Sequence, residues 1–306
     1  EPWEKGTGLT ACILRVFWGA VFGVPYTAKG GSHGLPHALA RCFVHYGGSL
    51  FQGCPVGKII VENNEAKGVV LSKNAIYPDA EVHAKRGVVS NLTVQPTFID
   101  LVGLDKLSPE AARGVKMYEY DGQVLFTTYW VLNEAPQWPG YPPEIARGFG
   151  FNFGEESISD IFRLQNDLIR GKLPDPPIAS GGNCQGYCMA DPTQAPPGQF
   201  TVMSWCDVPY DLRRYGGPQA WDDLRENYAD KVEDLLNEYM TNLKKAKIAR
   251  YAQSPLDNYR KNPSAIKGTW SGGPPYRPHQ MYINRPFNGC NGPRTPIANL
   301  YLSNSI

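Results

Sequence analysis

The sequence predicts an α/β fold, and three stretches carry that expectation. The first is KGGSHGLPHALARCFVHYGG (29–48), a glycine turn opening into an amphipathic helix. The second is the run 49–91, which divides into several short strands. The third is Gly87-Val88-Val89, a β-branched run ending in the polar pair Ser90-Asn91.

Each element has a physical reason. In 29–48, Leu35, Leu39, Cys42 and Phe43 recur at three- and four-residue steps, the period that gives a helix one apolar face, and Gly47-Gly48 end it. In 49–91, Ile59-Ile60-Val61 precede the turn ENNEAKG and Val69-Val70-Leu71 follow it, with Asn63-Asn64 as turn residues. A β-branched run followed by small polar residues suits a central parallel strand whose C-terminal end faces a ligand crevice. One half of a nucleotide-binding fold is therefore legible. The closing PRTPIANLYLSNSI (293–306) repeats the pattern, with Ile297, Leu300, Tyr301 and Leu302 followed by Ser303, Asn304 and Ser305. Such an end feeds a turn or a helix N-terminus, where free N–H groups hold an anion.

Composition bounds the function. At 306 residues, with 42% hydrophobic and 19% charged residues, the chain is long enough for two domains with buried cores. Thirty basic and 29 acidic residues give a net charge of +1 with no long block of either sign, so nothing suggests a nucleic-acid surface. Seven cysteines at irregular spacing argue against a disulfide framework and fit a reducing compartment. Cys184 and Cys188 do not have the CxxC spacing and have no companion pair, so no metal is expected. The stretch LTACILRVFWGAVFGVPY (9–26) is too short and too interrupted for a membrane span. It reads as a buried helix or as a helix walling a lipophilic cavity or touching a bilayer surface.

The centre, 105–194, is rich in aromatics and prolines, with a helix expected at 157–171. It reads as a substrate domain, whose apolar enclosure would suit a polyene, isoprenoid, steroid or aromatic compound. The helix 221–240 interleaves Asp, Glu, Arg and Lys on an amphipathic frame and reads as a solvated outer face.

The order GGSHGLPHALAR, GGSLFQGCPVGKIIVENNEAKGVVL and AKRGVVSN resembles the phytoene desaturase-like branch of the FAD-dependent amine-oxidase superfamily. Later stretches resemble successive blocks of that family in the same order: APPGQFTVMSWCDVPYDL (195–212), the helix 221–240, QSPLDNYRK (253–261), GTWSGGPPYRPHQMYINRP (268–286) and PRTPIANLYLSNSI. The resemblance covers about 280 residues. It implies a partial Rossmann-like FAD-binding domain from 27–104 and 287–306, discontinuous in sequence, and a mixed α+β substrate domain from 1–26 and 105–286. Family members open with a GxGxxG turn that cradles the FAD pyrophosphate, and no GxGxxG occurs here. Both ends thus look cut relative to the family, and residues 1–306 alone are expected to bind FAD poorly.

The resemblance also implies roles. Val56 matches the residue whose backbone faces the adenine, Ser90 and Asn91 match the strand end near the cofactor, and Ser303 and Asn304 stand where the family places a glycine-containing turn. Trp270 and Tyr276 fall in a block lining the substrate cavity. His279, in the same block, and His33, in the glycine turn on the substrate side of the flavin, are the candidate proton-transfer residues. The implied activity is a flavin-dependent oxidoreductase that desaturates, saturates or isomerises C–C or C=C bonds of a lipophilic substrate. A non-catalytic scaffold subunit with a degenerate flavoprotein fold is the alternative. The expected partner is a lipophilic small molecule, with peripheral membrane contact and homo-oligomerisation open. The expected location is cytoplasmic, with membrane association open.

Overall fold

The computed structural model describes residues 28–120, 123–142, 153–179, 188, 191–270, 272–273, 278–280, 286–287 and 290–303. The stretch 9–26, Cys184, Tyr276 and Asn304 lie outside them. In chain order the main elements are α1 (Gly34–His45), β1 (Val56–Glu62), β2 (Glu65–Leu71), β3 (Glu81–His83), β4 (Val88–Ser90), a π-helical turn (Pro96–Val102) and α2 (Pro109–Met117). There follow β5 (Gln123–Leu132), α3 (Ile158–Ile169), β6 (Phe200–Pro209), α4 (Trp221–Tyr239), α5 (Leu243–Ala246), β7 (Lys247–Gln253), α6 (Pro255–Lys261), β8 (Pro286–Phe287), β9 (Cys290–Asn291) and β10 (Leu300–Leu302). This mixture of helix and sheet divides into two compact units; of the described residues, those within 49–120 and 262–303 belong to one and those within 28–48 and 123–261 to the other.

In the first unit, β1, β2 and β3 form an antiparallel sheet in that order. Asn63 and Asn64 carry positive φ values of 48° and 60°, the geometry of a tight two-residue hairpin turn whose twist matches the strands it joins. β4 pairs in parallel with β10, Val88 opposite Leu300 and Ser90 opposite Leu302, although 209 residues separate them at the least. Gly87 makes this approach feasible, because a Cβ there would lie 2.9 Å from the carbonyl oxygen of Asn299. The strand at the chain's close thus lies in one unit with 49–91.

The division falls elsewhere than the sequence boundaries at 104/105 and 286/287. Val115, Tyr118 and Tyr120 share a core with Phe98, Phe287 and Ile297, so the segment up to 120 packs with the first unit. Phe98 and Phe287 meet edge-to-face at 5.6 Å. The loop after residue 261 is tied there too. Gln280 accepts from the Glu119 N–H at 2.9 Å and donates to the Glu119 carbonyl at 3.0 Å, while the Tyr118 hydroxyl donates to the Gly272 carbonyl at 2.7 Å. Gly273, with φ 125°, lets the loop pass 2.7 Å from that hydroxyl where a Cβ would stand.

In the second unit, β5 pairs antiparallel with β6 over ten residues and with β7 on its other side. α4 lays Trp221, Tyr228, Val232 and Leu236 against Phe126 and Trp130 of this sheet. Its charges face outward except Glu233, which is buried: its carboxylate accepts from Trp130 Nε1 at 2.9 Å, Lys247 Nζ at 2.5 Å and Arg250 at 3.3 Å. The solvated face read from sequence is therefore half of the helix, and the charge run hides a buried anchor. α3 begins after Ser157, whose N–H and hydroxyl both donate to the Asp160 carboxylate at 3.0 Å.

The helix predicted at 29–48 forms over Gly34–His45, yet none of its residues is buried against the described chain. Leu35 and Leu39 are 60% and 62% exposed. Periodicity establishes the helix and its apolar stripe but not what covers the stripe.

Candidate functional site

The parallel pair β4–β10 sets the site. At the C-terminal ends of both strands, the Ser303 N–H donates to the Ser90 carbonyl at 2.9 Å and the Ser303 hydroxyl reaches Asn91 Oδ1 at 3.4 Å. Three sequence-predicted residues, Ser90, Asn91 and Ser303, therefore converge at one point. The Ser90 hydroxyl is already used inside the protein. It shares a hydrogen bond with Thr97 at 2.8 Å and accepts from the Leu92 N–H at 3.3 Å, so it shapes the strand end. Asn91 and Ser303 are exposed there.

Beside this point lies a cleft of about 550 Å³ whose walls include Val56, Ile59, Val69, Val88, Val89 and Leu101. Val56 and Val89 on this lining are 38% and 63% exposed. The polar part of the lining is Ser90, Asn91, Asp100, Asn262 and Ser264. A second cleft of about 420 Å³ shares Asn91, Leu92, Asn262 and Ser264 with the first and adds Thr93, Thr269 and Trp270. The wall between them is held by Ser264, whose hydroxyl accepts from the Thr93 N–H at 3.0 Å and whose carbonyl accepts from the Thr93 hydroxyl at 2.8 Å. Val56 thus lines the apolar cleft, Trp270 the polar one, and Asn91 both.

The two histidines are not part of this lining. His279 sits in the turn locked by Gln280, with Nε2 3.7 Å from Glu119 Oε1, too long for a hydrogen bond and an ion pair only when the imidazole is protonated. His33 lies in the other unit, exposed at the N-terminus of α1, with its ring 4.3 Å from that of His37. The glycine turn before it is pinned by Asp191, which accepts from the Gly30 N–H at 2.6 Å and the Thr193 hydroxyl at 2.6 Å. The Thr193 hydroxyl first, then the Gly30 N–H, hold the Asp191 carboxyl down at about 2.

Sequence reasoning missed Asp100, Asn262 and Ser264. Asp100 lies in a π-helical turn, which no simple periodicity marks, while the Asn-Pro-Ser run at 262–264 was a readable turn signal. Among the described residues no group of His, Cys, Asp and Glu could hold a metal ion, and no helix is long and apolar enough to cross a membrane.

The residues fit the nucleotide end of a flavin cofactor. The apolar cleft with its exposed valines matches a flat ring, and the strand ends carry hydrogen-bonding groups where a polar linker would leave it.

No family model matches the chain. It is 28% identical over 284 residues to a subunit of limonene dehydrogenase from Castellaniella defragrans, covering 90% of this chain and 50% of that protein. It is 26% identical over 292 residues to pyridine nucleotide-disulfide oxidoreductase domain-containing protein 2 of Mus musculus, covering 90% of this chain and 47% of that protein. The crystal structure of an oxidoreductase from Methanosarcina mazei shares the fold, with a TM-score of 0.52 and 20% identity over 90% of this chain and 49% of that one. The chain spans about half the length of the curated relatives it matches.

Proposed function

We propose that the chain is part of an FAD-dependent oxidoreductase acting on C–C or C=C bonds of a lipophilic substrate, in the manner of the phytoene desaturase-like amine-oxidase superfamily. The observation that carries this reading is the convergence of Ser90, Asn91 and Ser303 at the ends of two parallel strands, beside a cleft lined by Ser90, Asn91 and Val56. Binding at the C-terminal ends of parallel strands is the general arrangement for nucleotides in α/β sheets. The names of the relatives, a limonene dehydrogenase subunit and an oxidoreductase domain protein, agree with redox chemistry, and the first names limonene.

In this reading the unit built from 49–120 and 262–303 supplies a Rossmann-like cofactor domain, and the other unit supplies most of the substrate enclosure. FAD, when bound, would accept or supply a hydride at a substrate carbon. Val56 and Val89, the exposed valines of the cleft, would lie against the adenine and keep water from it. Asn91, Ser303 and Asn304 offer hydrogen bonds to the polar linker. Trp270 and Tyr276 wall the substrate. His279 and His33 are assigned proton exchange and substrate orientation. A companion polypeptide is part of the proposal, because one relative is named as a subunit. Contact with a bilayer surface would deliver an apolar substrate.

Titrating FAD into the protein and following the quenching of flavin fluorescence tests the reading. Saturable but weak binding, lost on Asn91→Asp, is the expected result, since no GxGxxG turn is present. Absence of saturable binding at about 1 mM FAD, far weaker than ordinary nucleotide sites, rejects it. Where flavin is retained, its absorbance at about 450 nm should bleach on anaerobic mixing with a limonene-like hydrocarbon.

A further inference from the structure

We propose that α3 and the loop 213–215 form a docking surface by which the second unit lies on an anionic lipid bilayer. This gives the bilayer contact of the reading above a place, and it rests on that reading for the apolar substrate such contact would deliver. Leu164 and Leu168 bury one side of α3 with Ile178. Ile158, Phe162 and Ile169, four and seven residues apart, form a second line along the helix and are 76%, 65% and 59% exposed. The apolar sector of α3 is wider than the core it covers.

The end of that line is basic. Arg213 donates to the Ile169 carbonyl and the Arg214 N–H donates to the Gly171 carbonyl at 3.2 Å, so the loop is strapped to the C-terminus of α3. Gly171 permits the strap, because at its φ of 63° a Cβ would stand 2.6 Å from the Asp211 carbonyl oxygen. Arg170, Arg213, Arg214 and Tyr215 are thereby gathered, all exposed, beside Ile169. Nearby, Asp167 lies 3.1 Å from Lys172 and Asp211 lies 3.9 Å from Arg213, which leaves Arg170 and Arg214 in excess. At the other end of the helix Asp160 pairs with Arg163 at 3.7 Å and Glu156 is exposed, so the positive charge belongs to the C-terminal end.

An apolar line alone names no partner, but guanidinium groups and a tyrosine at its end do. The aliphatic and phenyl groups suit the acyl boundary, the phenol suits the interface, and the arginines reach anionic headgroups. A helix with this order of groups lies in the interface plane.

Cosedimentation of the 306-residue chain with vesicles provides the test. Vesicles of phosphatidylcholine and phosphatidylglycerol in equal parts should bind it about 25-fold more tightly than phosphatidylcholine alone, from about five-fold for each of the two arginines in excess. That preference should shrink in about 0.5 M salt. Phe162→Gln with Ile169→Gln should weaken binding to both vesicle types, and Arg170→Gln with Arg214→Gln should remove the preference, each with the circular dichroism of wild type. Equal binding of both vesicle types by wild type, or binding that either pair of substitutions leaves unchanged, overturns the inference. So does absence of binding at about 1 mM lipid, beyond even the marginal affinity of a single acyl anchor; dimers that Phe162→Gln dissolves would then make the line an interface between copies. FAD titration is a separate readout. Flavin binding without vesicle binding ends this inference alone, and vesicle binding without flavin binding supports the surface while removing the oxidoreductase reading.

Discussion

The sheet of the second unit and the strand ends of the first treat similar residues in opposite ways. Trp130, Phe126 and Val232 are wholly buried and packed on one another, and even the charged Glu233 is enclosed with three donors. Val56 and Val89, equally apolar, stand open on a cleft beside exposed polar side chains. The first arrangement spends its contacts on folding, and the second leaves apolar surface for a ligand. Substitutions should therefore divide into those that change stability and those that change binding.

The largest effect belongs to Glu233. Glu233→Ala would leave Lys247 and Arg250 without their buried partner and Trp130 Nε1 without an acceptor. The expected loss is about 3–5 kcal/mol. Hydrogen exchange should show faster opening of β5, β6 and β7, and a loss under about 1 kcal/mol would mean that solvent already screens the cluster.

Gln280 gives the counterpart in the first unit. Gln280→Ala removes both hydrogen bonds that the wholly buried Gln280 side chain makes to the Glu119 backbone, at about 0.5–1.5 kcal/mol for each bond. Exchange should quicken around 118–120 and leave α4 unchanged. Equal quickening in both units would erase the distinction between them.

How far this was readable follows from what kind of signal each part sends. Asn63-Asn64, the strands around them and the polar close of Val88–Asn91 announced themselves through local geometry, and the structure has them as a hairpin and a parallel strand. The convergence of Ser303 on Ser90 and Asn91 came from resemblance, since pairing across 209 residues has no local signature. Glu233 was hidden because a buried anion in a helix rich in surface charge has the same spacing as its solvated neighbours. Asp100 was hidden by the π-helical turn, which shifts its side chain off any regular face. The helix at 34–45 shows the reverse failure: its apolar stripe was legible, but a stripe does not name its cover.

Asp191 should produce a smaller, local effect that depends on pH. Its folded value of about 2 lies below the ordinary aspartate value of about 3.9. A depressed carboxyl contributes stability that is present above its unfolded value and lost as pH falls through the folded one. The amides of Gly30 and Thr193 should titrate together with a midpoint near 2, visible by NMR, as the turn before His33 comes free. Asp191→Asn should abolish that titration. Independent midpoints for the two amides would show that the carboxylate does not pin the turn.

The smallest effect on stability, and the sharpest on meaning, is expected at Val89. It is 63% exposed, and its neighbours Val88 and Ser90 make the backbone pairing with β10 along with it. Val89→Ala should therefore shift stability by less than about 0.5 kcal/mol, the range of ordinary surface substitutions. The same change strips two methyl groups from the cleft wall. If a ring packs there, the lost contact should weaken adenosine binding several-fold, because a buried methylene is worth about 0.8 kcal/mol. Val232→Ala, in the enclosed core, should do the opposite, costing roughly 1–3 kcal/mol in folding while leaving nucleoside binding as it was. A Val89 variant that loses stability like the Val232 variant and binds adenosine like wild type would place Val89 among the folding contacts, and the contrast between the two regions would collapse.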